Sequence, residues 1–88
     1  TLLGKQIRGV AGDRVHVGPT GVFVNGERLG ELHPEGVSAA GLDAASAARS
    51  YVLQPGEIFL FAPGERSFDS RYFGPARSEW IVGELVLR

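Results

Sequence analysis

The chain has 88 residues, 43% of them hydrophobic and 22% charged, with a formal net charge of −1 and no cysteine. That length permits one small domain with a modest core, and that composition belongs to a folded globular chain rather than a disordered one. The missing basic surplus argues against a nucleic-acid partner, and the missing thiols exclude a disulfide framework, a thiolate metal site and a cysteine nucleophile.

The chain starts at "TLLGK", without an initiating Met and in mid-pattern, as expected of a fragment of a longer protein. Its longest apolar run, Ile58 to Ala62, is far shorter than the roughly 20 residues that span a bilayer, and no secretory signal pattern is present. In "TLLGKQIRGV", period two puts Leu3, Lys5 and Ile7 on one face and Gln6 and Arg8 on the other. Gly12-Asp13 reads as a turn. "RVHV" alternates again, with Val15 and Val17 on one side and His16 on the polar side. Gly18 to Gly21 is a second turn, and Asn25-Gly26 inside "VFVNGERL" is a hairpin signal, since both residues tolerate positive φ.

From Gly30 to Ser50 the chain turns rich in Ala, Gly, Ser and Glu. "LDAASAARS" suits a short helix capped by Asp43. With little but alanine to pack, this insertion is expected to be the most mobile part. Strand character returns in "YVLQPGEIFLFAPGE". "EIFLFA" is apolar on both faces, which marks a central buried strand, and "WIVGELVL" is a further β-rich run. The expectation is an all-β, mainly antiparallel domain of five or six strands over residues 1–88, interrupted by a short Ala-rich helical or loop insertion over 30–50.

Among the chemistry-bearing residues, His16 and His33 lie far apart with no acidic cluster beside them, so solvent-exposed structural roles outweigh metal binding. No phosphate-cradling glycine loop opens a helix. The carboxylates of Glu57, Glu65, Asp69, Glu79 and Glu84 are scattered. Lys5 has two readings. On an apolar face its amine loses solvation, which favours the neutral form and would fit a general base; equally, it is a lysine that snorkels from a strand edge. The densest mixture of types is Ser67 to Pro75, "SFDSRYFGP", with an acid, a base, hydroxyls and aromatics closed by Gly-Pro.

Taken in order, "KQIRGVAGDRV", "VFVNG", "PGEIFLFA", "SFDSRYFGP" and "IVGEL" resemble the type I signal peptidase superfamily. Its members carry a K-R-x-x-G-x-P-G-D stretch, a V-x-V-N-G hairpin, and an S-x-D-S-R-Y-x-G-P stretch followed by I-x-G. The resemblance covers nearly the whole chain outside Gly30 to Ser50. "SFDSRYFGP" is most similar to the conjugative-transfer signal peptidases of the TraF type; general signal peptidases usually have G-D-N-x-D-N-S before the D-S-R.

The resemblance implies a signal-peptidase-like β fold and a serine endopeptidase working with a Ser-Lys dyad and no cofactor. It puts Lys5 on the general base and Ser67 on the hydroxyl that orients it. Gly12 and Asp13 fall on the turn after the lysine, where Ala11 replaces the usual proline at some loss of rigidity. Asp69 and Arg71 fall on an ion pair that braces the site, with Ser70 between them. Nothing ahead of Lys5 matches the S-M-x-P-type segment that holds the nucleophilic serine, so the fragment is expected to be inactive without an upstream part. The implied substrate is a secreted precursor or a pilin. The implied setting is a bacterial inner membrane, with the parent anchored by a segment outside this chain and its catalytic domain facing the periplasm or cell exterior. A general type I signal peptidase is one alternative; a non-catalytic signal-peptidase-like pilin assembly factor is another.

Overall fold

A computed structural model describes residues 6–62 and 69–80. In chain order these form β1 (Gln6–Gly9), β2 (Arg14–Gly18), β3 (Gly21–Val24), β4 (Glu27–Gly30), α1 (Pro34–Ala39), α2 (Ala44–Ala47), β5 (Arg49–Val52), β6 (Glu57–Phe61), α3 (Ser70–Phe73), β7 (Ala76–Arg77) and a 3₁₀ turn, Ser78–Trp80. The architecture is all-β with a short helical insertion. One sheet has the order β4-β3-β2-β5, the other β1-β6-β7, and every strand pair among the described residues is antiparallel.

Turn chemistry sets the connections. Asn25 and Gly26 take φ of 52° and 84° and close the β3–β4 hairpin with Val24 opposite Glu27, the two-residue form whose twist matches its strands. Pro19 and Thr20 close β2–β3, with Gly18 opposite Gly21. The expected alternation of Leu3, Lys5 and Ile7 falls mostly outside the described residues, where β1 begins at Gln6. Ile7 faces Leu60 and Gly9 faces Phe59, so Arg8 is an extra residue, a bulge that shifts the pattern.

The core lies between the sheets. Val15, Val17, Val22 and Val24 meet Leu53, Phe59 and Phe61, with Leu29, Leu32 and Tyr51 packed at the margin. The other face of β6 carries Ile58 and Leu60, which meet Ala76 and Ile7. Burial on both sides is why "EIFLFA" shows no alternation.

The insertion is better tied down than its composition suggests. Gly30 belongs to β4, and Arg49 and Ser50 belong to β5, so only the residues between them leave the sheet. Asp43 caps α2 as expected, in a reciprocal capping box with Ser46. On the alanine-only face Ala47 is inaccessible, while Ala44, Ala45 and Ala48 stay exposed. Leu32 packs on the main core. The helix α1 is additional to the expectation. Its start carries Pro at the first position and Glu35 in the first turn, which are proper helix-start signals. Trp80 closes the 3₁₀ turn rather than opening a strand, and the rest of the "WIVGELVL" run lies outside the described residues.

Candidate functional site

The strand β6 organises the site. On one edge it pairs with β1 through Gln6–Phe61 and Ile7–Leu60. On the other edge β7 reaches only Glu57 and Ile58. Past β7, the amides of Leu60 and Ala62 have no strand partner among the described residues, and buried amides without acceptors are costly. The stretch around α3 supplies the acceptors. Ser70 Oγ accepts from Leu60 N at 2.9 Å, and Asp69 Oδ2 accepts from Ala62 N at 2.8 Å. Side chains thus continue the ladder where backbone stops.

Asp69, Ser70 and Arg71 are buried to within 1% of complete. The Arg71 guanidinium grips the Asp69 carboxylate in a fork, Nε to Oδ1 and Nη2 to Oδ2, both at 2.8 Å. Asp69 Oδ1 also accepts the Arg71 amide at 3.0 Å. Arg71 spends its other donors on carbonyls, Nη2 on Ala62 and Nη1 on Glu31, both at 2.9 Å. Its cationic carbon sits 4.4 Å from the Phe61 ring centre, a favourable place for a weakly hydrated guanidinium. Because Glu31 follows β4 and Ala62 follows β6, one side chain links the ends of the two sheets. Gly30 permits the approach, since a Cβ there would lie 2.8 Å from the Phe61 ring.

Tyr72 extends the wall outward. Its hydroxyl accepts from His33 N at 3.1 Å, its carbonyl accepts from Arg49 Nη2, and Gly36 of α1 lies so close to its ring that a Cβ would stand 2.3 Å from it. These long-range contacts join the helical insertion to the "SRYF" turn. No local sequence pattern announces them; only the Pro34 start of α1 was available as a signal.

Gly12 and Asp13 form a second, separate turn. Gly12 has φ of 94°. Asp13 Oδ2 accepts from Val10 N at 2.9 Å and Oδ1 from Asn25 Nδ2 at 3.0 Å, while Asn25 Oδ1 accepts from Arg14 N at 2.9 Å. The clasp joins the β1–β2 and β3–β4 turns. The Val10 amide first, and then the Asn25 amide, hold the Asp13 carboxyl below its ordinary value of 3.8.

Lys5 and Ser67, the expected base and its orienting hydroxyl, lie outside the described residues. Among the described ones, Asp69, Ser70 and Arg71 come together, and Gly12 and Asp13 stand in their own turn. Among the described residues no group of three or more His, Asp or Glu able to hold a metal occurs, at His16 and His33 or elsewhere. No helix among them is long and apolar enough to cross a membrane.

Fold and wall together define a class: an antiparallel β domain in which a short polar turn replaces a strand along the edge of β6 and is locked there by an internal ion pair. Over residues 2–88 the chain matches the family described as Signal peptidase, peptidase S26, and it belongs to that family. A signal-peptidase-type hydrolase function comes with the membership. No curated protein matches the chain.

Proposed function

We propose that this chain is the base-bearing part of a Ser-Lys endopeptidase that cleaves a secreted or pilin precursor, of the TraF type that serves conjugative transfer. The nucleophile is a serine that the resemblance puts ahead of Lys5. Neutral Lys5 takes the proton from that hydroxyl as Oγ attacks the scissile carbonyl carbon. The resulting ammonium gives the proton to the departing amine as the C–N bond breaks, leaving an acyl-enzyme. Lys5 then takes a proton from water, the hydroxide oxygen adds to the ester carbonyl, and the serine leaves with that proton. Ser67 accepts and donates hydrogen bonds that hold the lysine in line. No cofactor enters. The parent works anchored at a bacterial inner membrane, with this part on the periplasmic or outer side.

One observation carries the reading beyond the family match. Gln6, the neighbour of Lys5, is paired with Phe61, and Asp69, two residues after Ser67, is fixed to Ala62. The two motifs that the mechanism needs are therefore attached to adjacent residues at one end of one strand, and the ion pair that fixes the second is saturated and buried. That is the support a positioned base requires.

The test is precursor cleavage by the full-length parent. Lys5→Ala and Lys5→Arg are both expected to abolish turnover with the fold retained, because a guanidinium stays protonated and cannot act as a base. Ser67→Ala is expected to lower activity without removing it. Wild-type cleavage by Lys5→Arg would overturn the Ser-Lys mechanism, absence of cleavage by the wild-type parent would favour a non-catalytic assembly factor, and efficient cleavage of unrelated secretory precursors would replace the conjugation-specific reading with a general signal peptidase.

A further inference from the structure

The outer face of the four-stranded sheet, away from the β6 wall, holds a trough of about 650 Å³. It runs from Thr20, in the β2–β3 turn, to Gly26, in the β3–β4 turn, so its length is that of β2. Five residues from Arg14 to Gly18 at about 3.3 Å each give roughly 16 Å.

Its floor is built, not incidental. His16 stands opposite Phe23 on one neighbour and Ser50 on the other. The imidazole is held by a 2.6 Å hydrogen bond between Nδ1 and Ser50 Oγ and tilts against the Phe23 ring at 5.9 Å. Two residues on, Gly18 has no side chain, and the imidazole occupies that space, with Nε2 only 3.2 Å from where a Cβ would be. The ring therefore lies along the strand as a flat surface. This serine–histidine pair has no carboxylate to orient it among the described residues, none of whose Asp or Glu lines the trough, so it forms a floor rather than a nucleophile.

The walls differ in kind. Val52 contributes an apolar side chain that is 47% exposed. Arg14, its cross-strand partner, brings a positive charge. Every other arginine among the described residues has a partner for its guanidinium: Arg8 and Arg77 have glutamates, Arg71 has Asp69, Arg28 has the Thr20 carbonyl and Arg49 the Tyr72 carbonyl. The Arg14 guanidinium has none there. A strand-length trough whose described lining is aromatic and apolar, with one unspent guanidinium and no acid among those residues, is complementary to an extended chain bearing a carboxylate.

We propose that this outer-face trough binds an extended, carboxylate-bearing peptide segment of another polypeptide, with Arg14 as the ion-pair partner and the His16–Phe23 surface as its bed. The inference stands apart from the cleavage chemistry, because it uses no residue of the β6 wall.

The experiment is fluorescence anisotropy of the chain with a labelled octapeptide alternating Val and Glu, against the same peptide with Gln for Glu. The Glu peptide is expected to bind at least about tenfold more tightly, the worth of one charge-assisted contact. Arg14→Gln should erase that preference without changing the melting temperature, and Val52→Asp, at an exposed position, should block binding by placing a like charge in the trough. Equal affinity for the two peptides, or full binding by Arg14→Gln, would overturn the proposal. So would saturation of the face by inorganic phosphate or phosphatidylglycerol vesicles where the Glu peptide does not bind, or an Arg14-dependent dimer of the chain that excludes it.

Discussion

The β6 wall and the outer-face trough use the same kinds of side chain in opposite surroundings. In the wall, Asp69, Ser70 and Arg71 are buried and their hydrogen-bonding capacity is nearly all spent inside the molecule. In the trough, His16 and Ser50 are exposed, and Arg14 has no side-chain acceptor among the described residues. A saturated buried group has nothing left to offer a ligand, and its removal strands its partners. An exposed unspent group costs little to remove and can still bind. Polar density in a sequence therefore marks a wall as readily as a binding surface, and burial separates the two.

The comparison predicts its largest effect at Asp69. Asp69→Ala leaves the Arg71 charge buried without its carboxylate and should destabilise the chain by about 3–5 kcal/mol, read as a fall in the urea or thermal midpoint. Replacing both partners, as Asp69→Ala with Arg71→Met, should recover only part, because the Ala62 amide and the Glu31 carbonyl remain unpaired. An unchanged midpoint in Asp69→Ala would erase the distinction between wall and trough. Ser70→Ala comes next, at about 1–3 kcal/mol, since it strands only the Leu60 amide.

Tyr51 sharpens the rule from the other side. Its hydroxyl is buried and has no partner among the described residues, and burial pushes its pKa up to about 12. Unlike Ser70, it pays desolvation without a bond in return, so Tyr51→Phe should stabilise by about 1 kcal/mol. The folded-state pKa is raised, so the contribution of the neutral phenol is intact below pH 10 and is lost as pH climbs towards 12. Wild type should lose stability over that alkaline range and Tyr51→Phe should lose less of it, as followed by denaturant midpoints. A destabilised Tyr51→Phe protein would mean that the hydroxyl has an acceptor in solution.

Much of this fold was legible because it is local. Asn25-Gly26 marked a hairpin, Val15 and Val17 marked one face of β2, and Asp43 marked the cap of α2. The class of fold followed from such signals. The brace was half legible: Asp69 and Arg71 are two residues apart, but their carbonyl and amide partners at Glu31 and Ala62 come from elsewhere in the chain, and only packing brings them in. The contacts of Tyr72 with His33, Gly36 and Arg49 were illegible for the same reason. Within the insertion, side-chain size did not signal that Ala47, though small, is fully buried, or that Gly36 matters through the side chain it lacks. Motif resemblance, rather than periodicity, singled out the β6 wall; nothing comparable marked the trough, whose residues come from three strands.

The smallest effect belongs to the Asp13 clasp, which is neither wall nor trough: a partly exposed carboxylate whose bonds are nonetheless made. The Val10 amide and the Asn25 side chain hold its pKa below 3.8 in the folded chain, whereas in the unfolded chain those bonds are gone. A folded pKa below the unfolded one means stability that is complete above the unfolded value and lost as pH falls through the folded one. Asp13→Asn keeps the shape and one acceptor but removes the charge. Near pH 7 it should be slightly less stable than wild type, by an amount that solvent screening keeps small. Below about pH 4 the two should converge, because the wild-type carboxyl is then losing the same charge. The check is a pair of urea titrations at pH 7 and pH 2.5. A gap of equal size at both would show that the clasp acts through shape and hydrogen-bond count, not through the carboxylate charge.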